Sequence, residues 1–426
     1  MKKKIIVILT LIVVIGLSGY VIYQATQEQD EKLDKERRAD EKTQQERKDE
    51  EPKTIETETI KAYSVDDFSF NIFQKLTQEE DNLFISPYSI YTALTLAYTG
   101  ADGETKKEMQ EVLGLQDKDI QEIKEEVLEI KQRLEDNPEN TEISIANALF
   151  LRDDIPFKES YTQNAKEYFE AEVDELPETG EPINDWIAEK TNDLIQNMID
   201  PGPIPGDVIA YLFNTIYFNA PWQDAFDEEK TQERTFYAQD SEEKVEMMER
   251  EGNYTHLIED DLEMVTIDYE DDSDLVFHAI KPQNLEDFYD DLDYEKFTNL
   301  KDETKTEEII LRLPKFKMES DIGVNDTLEA MGIKQAWDRE QADFSNMVNL
   351  DELQENIFIN RVQHKTYIEI DEEETEAAAA TGIDMRVTSA LPETPPIIEF
   401  NKPFLFLIEN TDTETILFMG QFKEPA

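Results

Sequence analysis

The stretch from Thr375 to Val387 places the tightest condition on the fold. Its alternate residues sort into two sets. Thr375, Ala377, Ala379, Thr381, Ile383, Met385 and Val387 are small or apolar, whereas Glu376, Ala378, Ala380, Gly382, Asp384 and Arg386 hold every charge in the segment. Successive side chains of a strand point to opposite faces, so this is the pattern of a strand with one buried and one wet face. A segment that only ever sat in solvent would have no reason to alternate. The acidic block DEEE (Asp371 to Glu374) precedes it, and the proline-containing LPETPP (Leu391 to Pro396) follows. The plainer alternative is a chance pattern in a helix-prone alanine run; the strand reading is preferred, and it calls for a place in the fold for a strand tethered at both ends.

The rest of the globular sequence supplies sheet and helix in mixed order. DDFSFNIFQKL has helical spacing. NLFISPYSIYTALTLAYTGA begins as a short apolar segment, turns at Ser86-Pro87 and reads as a helix from Ser89, with proline in the first turn and serine as a cap. ETKKEMQEVLGL reads as a helix closed by Gly114, and INDWIAEKTNDLIQNMID as an amphipathic helix stopped by PGPIPG. ISIANALFLRDD is β-rich. VIAYLFNTIYFNAPW is too long and too aromatic for a surface strand, which predicts a place in the middle of a sheet. Later come LEMVTIDYE, DLVFHAIKP, EIILRLPKFKME, the helix VNDTLEAMGI, NIFINRVQHKTYIEI and IEFNKPFLFLIENTDTETILFMGQF. There is no strict β-α alternation, no internal repeat and no glycine-rich phosphate loop. The fold class is α+β with extensive antiparallel sheet.

Composition narrows the function. The 426 residues are 39 % hydrophobic and 10 % aromatic, enough for one large domain or two small ones. The formal charge is −59. A phosphate backbone needs a basic footprint, so nucleic acid is excluded as a partner, and acidic substrates fall on the same ground. So much carboxylate reads as a solvated surface, and a salt-rich habitat would screen its self-repulsion. There are no cysteines, which removes disulfides, thiol catalysis and zinc-thiolate sites. The three histidines, His256, His278 and His364, are thin material for a triad or a metal site, and no cofactor is expected.

The N-terminus sets a compartment. MKKK is followed by an apolar run from Ile5 to Tyr23, just long enough to span a bilayer as a helix. Residues 1–23 read as a signal or membrane-anchor segment with the lysines on the cytoplasmic side, and an uncleaved anchor is favoured over a cleaved signal. Tyr20 stands where a lipoprotein box would need cysteine. Residues 24–60 are nearly all charged or polar and lack an apolar stripe, so they read as a solvated stalk. The domain from residue 61 to 426 would then face outside.

Four blocks carry a resemblance. NLFISPYSIYTALTLAYTGADGETKKEM, LFNTIYFNAPW, VQHKTYIEIDEEETEAAAATG and EFNKPFLFLIEN resemble the most recognisable blocks of the serpins, in serpin order and spacing, over roughly Ala62 to Lys423. The resemblance is to a bacterial serpin with an N-terminal anchor or signal segment. It implies three β-sheets, eight or nine helices and a reactive-centre loop at about 372–396. It also implies a mechanism. A protease cleaves the loop and forms an acyl-enzyme, the loop enters a large central sheet as an extra strand, and the attached protease is distorted before it can deacylate. In that reading the target serine protease is a covalent partner, the chain itself is not an enzyme, and it acts as a monomer.

The resemblance also assigns residues. The hinge comprises Glu372, Glu374, Thr375, Ala377, Ala378, Ala379 and Ala380, whose small side chains allow fast insertion. Glutamate at 374 replaces the usual glycine, which predicts slower insertion. Ser86, Ser89, Asn214 and His364 match the polar cluster beneath the sheet, the shutter. Trp222, Lys315 and Glu372 match the first insertion point, the breach. In isolation Ser89 reads as a helix cap, His364 as a satisfied core histidine and Glu372 as one more solvated acid. Spacing from Glu372 puts the cleaved bond between Thr388 and Ser389, which suits elastase-, subtilisin- or chymotrypsin-like enzymes. Trypsin-like enzymes would prefer Arg386.

Two other readings stay open. Glu374 favours a non-inhibitory serpin acting as a binding or chaperone-like surface protein. An enzyme is disfavoured by the lack of a G-x-S-x-G motif and of any histidine pair with metal spacing.

Overall fold

The structure is a computed structural model that describes residues 63–425, apart from 78–81, 137, 139, 207, 271–272, 350–352, 354–355 and 373–393. The anchor at 1–23, the stalk at 24–60, the hinge from Glu374 to Ala380 and the bond Thr388–Ser389 lie outside the described residues. Among the described residues there are nine α-helices: α1 (Tyr63–Leu76), α2 (Pro87–Gly100), α3 (Gly103–Val112), α4 (Ile120–Leu134), α5 (Glu159–Tyr168), α6 (Glu181–Lys190), α7 (Leu285–Asp290), α8 (Tyr294–Asp302) and α9 (Asn325–Met331). The strands are β1 (Leu83–Ile85), β2 (Glu142–Leu151), β3 (Glu172–Glu175), β4 (Ala210–Asn219), β5 (Gln232–Tyr237), β6 (Glu242–Ile258), β7 (Leu262–Asp268), β8 (Leu275–Pro282), β9 (Lys305–Pro314), β10 (Phe316–Gly323), β11 (Gln363–Ile370), β12 (Ile397–Glu399), β13 (Phe404–Asn410) and β14 (Thr415–Phe422).

β13 and β14 are buried at every position. A strand with no wet face reads as a continuous apolar run, which is why FLFLIEN and TILFMGQF do not alternate. Phe84 stacks on Phe418 at 5.2 Å, and Phe406 lies between Phe84 and Phe277 at 5.8 and 5.5 Å. Gly420 stands opposite Phe406, and a Cβ there would come within 2.2 Å of that ring. Only glycine lets this aromatic layer close.

Three hydrogen-bonded sheets result. The largest runs β1-β14-β13-β8-β7-β6-β9-β12, with β5 on β6. The other two are β3-β2-β4 and β10-β11. All the pairs are antiparallel except β2 with β3 and β9 with β12. Strands and helices are mixed without alternation, so the α+β reading holds.

Three local expectations need correction. VIAYLFNTIYFNAPW does not lie in the middle of a hydrogen-bonded sheet. Among the described residues β4 pairs with β2 alone, and its other edge lines a cleft with β11, through Ile216, Tyr217 and Phe218 on one side and Thr366 and Tyr367 on the other. Its apolar residues are needed because Leu194, Ile195 and Phe418 close round the same space. The expected helix over INDWIAEKTNDLIQNMID stops at Lys190. Thr191 Oγ1 accepts from Ile195 N, and Asn192, Asp193 and Asn197 take φ of 47°, 63° and 53°. Asparagine and aspartate tolerate that left-handed region, so polar spacing there makes turns rather than helix. The cap of α2 is Ser86, whose side chain accepts from Ser89 N, and Ser89 sits inside the helix.

Candidate functional site

β11 ends where residues 373–393 begin. Both β4 and β11 run toward this end, because Trp222, just past β4, donates its indole N–H to Asp371 O at 2.9 Å. Trp222 is fixed by stacking on Tyr269 at 4.7 Å, with Phe226 and Phe277 edge-on. One residue on, Glu372 is buried and hydrogen-bonded at both oxygens. Lys315 Nζ donates to Oε2 and Thr231 Oγ1 to Oε1, each at 2.6 Å. Lys315 reaches it because it sits in the Pro314-Lys315-Phe316 break between β9 and β10, with its backbone N–H on Glu246 O. Burial pushes the Glu372 carboxyl up, but the hydrogen bonds from Lys315 and Thr231 outweigh it and hold it below the usual carboxylate range. The same hydrogen bond raises the Lys315 amine above its ordinary value; burial of the amine works the other way but is outweighed, with the charges of Glu372, Asp371 and Glu246 adding to the rise.

The other polar cluster lies lower on the cleft, over the N-terminus of α2. Its members form two arms. On the β11 side Ser86 N–H donates to His364 Nε2 at 3.0 Å, while Ser86 Oγ donates to Leu417 O at 2.7 Å. On the β4 side Ser89 Oγ donates to Asn214 Oδ1, and Asn214 Nδ2 donates to Asn147 Oδ1 at 2.7 Å. Asn147, directly across from Asn214 on β2, donates on to Phe169 O at 2.7 Å. The arms meet through the capping bond from Ser89 N–H to Ser86 Oγ at 3.2 Å. Burial lowers the His364 imidazole to about 3. It is therefore neutral at ordinary pH, with Nε2 accepting and the proton on Nδ1.

The structure thus brings Trp222, Lys315 and Glu372 together at the head of the cleft, and Ser86, Ser89, Asn214 and His364 together below. Glu372 is not a solvated acid, as its residue-level reading had it. The other two histidines are elsewhere. His256 is fully buried with Nδ1 on Tyr254 O, and His278 bridges Thr266 Oγ1 and Glu409 Oε2 at 3.0 and 2.8 Å.

Several participants were not found from sequence. Asn147 had a signal, a lone amide inside the apolar run ISIANALFL. Thr366, whose hydroxyl donates to Phe84 O at 2.6 Å, had the alternation of β11. Thr231 had none, since nothing in EEKTQER distinguishes it from a surface turn.

Among the described residues of the two clusters the arrangement bonds no serine hydroxyl to a base, since His364 Nε2 takes a backbone N–H and Ser86 Oγ goes to Leu417 O. What it has is two strand edges that face one cleft without pairing to each other, tied across the head by one indole and propped from below by two hydrogen-bonded arms. A strand that leaves the head of β11 and turns back would run antiparallel to both edges.

The comparisons fit this geometry. The family model described as "Serpin (serine protease inhibitor)" matches residues 63–425. A serpin-like protein of Methanosarcina mazei is 32 % identical over 375 residues, covering 84 % of this chain and 86 % of its own. The crystal structure of the thermophilic serpin tengpin in the native state is similar with a TM-score of 0.75 at 28 % identity, covering 85 % of this chain and 94 % of that one. Human thyroxine-binding globulin, solved in complex with thyroxine, is similar with a TM-score of 0.75 at 26 % identity, covering 86 % of this chain and 98 % of that one.

Proposed function

The chain belongs to the serpin family, and on that premise we propose that it is a suicide inhibitor of serine proteases acting outside the cell. The observation that carries this is the cleft between β4 and β11, two unpaired edges at whose head the two-faced segment 375–387 departs. The protease's serine oxygen attacks the Thr388 carbonyl. The Thr388–Ser389 bond breaks, Ser389 nitrogen takes the proton and leaves as a new amino terminus, and Thr388 remains as an ester on the enzyme. The freed segment fills the cleft as a strand, with Ala377 and Ala379 on the buried face. Glu372 leaves Lys315 and Thr231, and the two polar arms part. The acyl-enzyme is carried away from its oxyanion hole before water can cleave the ester. The chain acts as a monomer, held on the outer face by residues 1–23 or released after their removal.

A second reading rests on Glu374. Glutamate is stiffer than the glycine the resemblance leads one to expect, and slow insertion lets deacylation win. The protein would then be a non-inhibitory serpin, as a binding or chaperone-like surface protein.

Mixing the protein with subtilisin, an elastase and trypsin decides between them. Inhibition gives a complex stable on denaturing gels and release of the peptide beginning at Ser389. Clean cleavage without a complex removes the inhibitory reading.

A further inference from the structure

One short strand touches the chain on both sides of residues 373–393. Thr231, directly before β5, donates its hydroxyl to Glu372 Oε1 at 2.6 Å. Tyr237, the last residue of β5, donates its N–H to Asn401 O at 2.8 Å. Between them Arg234 binds Glu249 Oε2 on β6 at 2.9 Å. The same oxygen takes Arg312 Nε of β9 at 2.7 Å, and Arg312 reaches Glu399 of β12 at 3.8 Å. Arg312 also accepts Phe400 N–H at its carbonyl, at 2.9 Å. β5 is therefore bonded to the stem where the segment leaves and to the stem where it returns.

The two donors on Glu372 differ in kind. Lys315 is a point charge on a swivelling stem, whereas a threonine hydroxyl has one proton and a stiff χ1. Thr231 therefore fixes where the carboxylate points. A six-residue strand laddered to β6 is rigid along its length, so a displacement at Thr231 is felt at Tyr237.

We propose that β5 is a strut coupling the two stems, with Thr231 as its positioning residue at Glu372. The idea deepens the inhibitor reading and rests on it for its purpose. It says that the return stem loosens when Glu372 departs.

The test needs no protease. Hydrogen exchange by mass spectrometry on the full chain compares wild type with Thr231→Val, Thr231→Ser and Arg234→Gln. Loss of a hydrogen bond to a charged group should speed exchange by about tenfold. We expect Thr231→Val to do so in the peptide covering 396–401, Thr231→Ser to restore it, and Arg234→Gln to speed exchange at 366–372. Peptides from α3 and α4 should not change. If each variant loosens only its own stem, the strut is wrong. Should Thr231→Val not fold, the Arg234→Gln arm decides alone. Failure to trap a protease would remove the inhibitor reading and leave the exchange result standing.

Discussion

At Glu372 two hydrogen bonds outweigh burial, and the consequence has a sign. A carboxyl held below its unfolded value contributes stability that is present above that value, about 4.3, and lost as pH falls through the folded value. Glu372→Gln keeps the shape and loses the charge. We expect a cost of about 1–2 kcal/mol at pH 7, reduced by the partial exposure of Lys315, and a smaller difference at pH 4. Urea unfolding at the two pH values checks both. At His364 burial works the other way on a base. A lowered folded value means that stability is full above about 6.5 and falls as pH drops toward about 3. Wild type should lose more stability than His364→Gln between pH 7 and pH 4, and equal losses would place the proton elsewhere. At Glu374 the expectation is kinetic. Glu374→Gly should raise the share of protease trapped rather than released, read as the molar ratio of inhibitor needed to abolish activity.

At the scale of elements, the alternation in 375–387 makes a paired prediction. Ala379 lies in the small and apolar set and Ala378 in the charged set. If the segment becomes a strand in the cleft, Ala379→Glu buries a charge and turns the protein into a substrate, whereas Ala378→Glu leaves trapping near wild type. Equal effects would remove the strand. Elements were legible where a pattern was long and clean. The α2 segment, with proline after serine, reads to within two residues of its observed start, but the cap is Ser86 rather than Ser89. The burial of β4 was legible, but not its free edge, because an apolar run says that side chains are covered and not what its backbone bonds to. The over-long α6 failed for a related reason. Spacing sees side chains at helical intervals, and the left-handed residues at 192, 193 and 197 are a backbone event. Lys315 and Glu372 were placed by family position, while Thr231, their partner from a remote turn, left no mark in the sequence.

For the whole molecule, the largest unspent quantity is charge. A formal −59 spread over 426 residues repels itself, and added salt shortens the range of that repulsion. Unfolding midpoints should rise between low and molar salt, and a flat response would dissociate the acidic surface from stability. The central claim is that the molecule holds a vacant strand position and fills it with residues 375–387. Among the described residues the facing edges of β4 and β11 pair with no strand, and an inserted strand would supply those hydrogen bonds. The most direct measurement is therefore thermal unfolding before and after cleavage near Thr388, with any limited protease that cuts there. The account predicts that the cleaved protein, cut but still associated, unfolds at a markedly higher temperature than the intact one. An unchanged or lower midpoint after cleavage would mean that the cleft does not accept the segment, and would contradict the account.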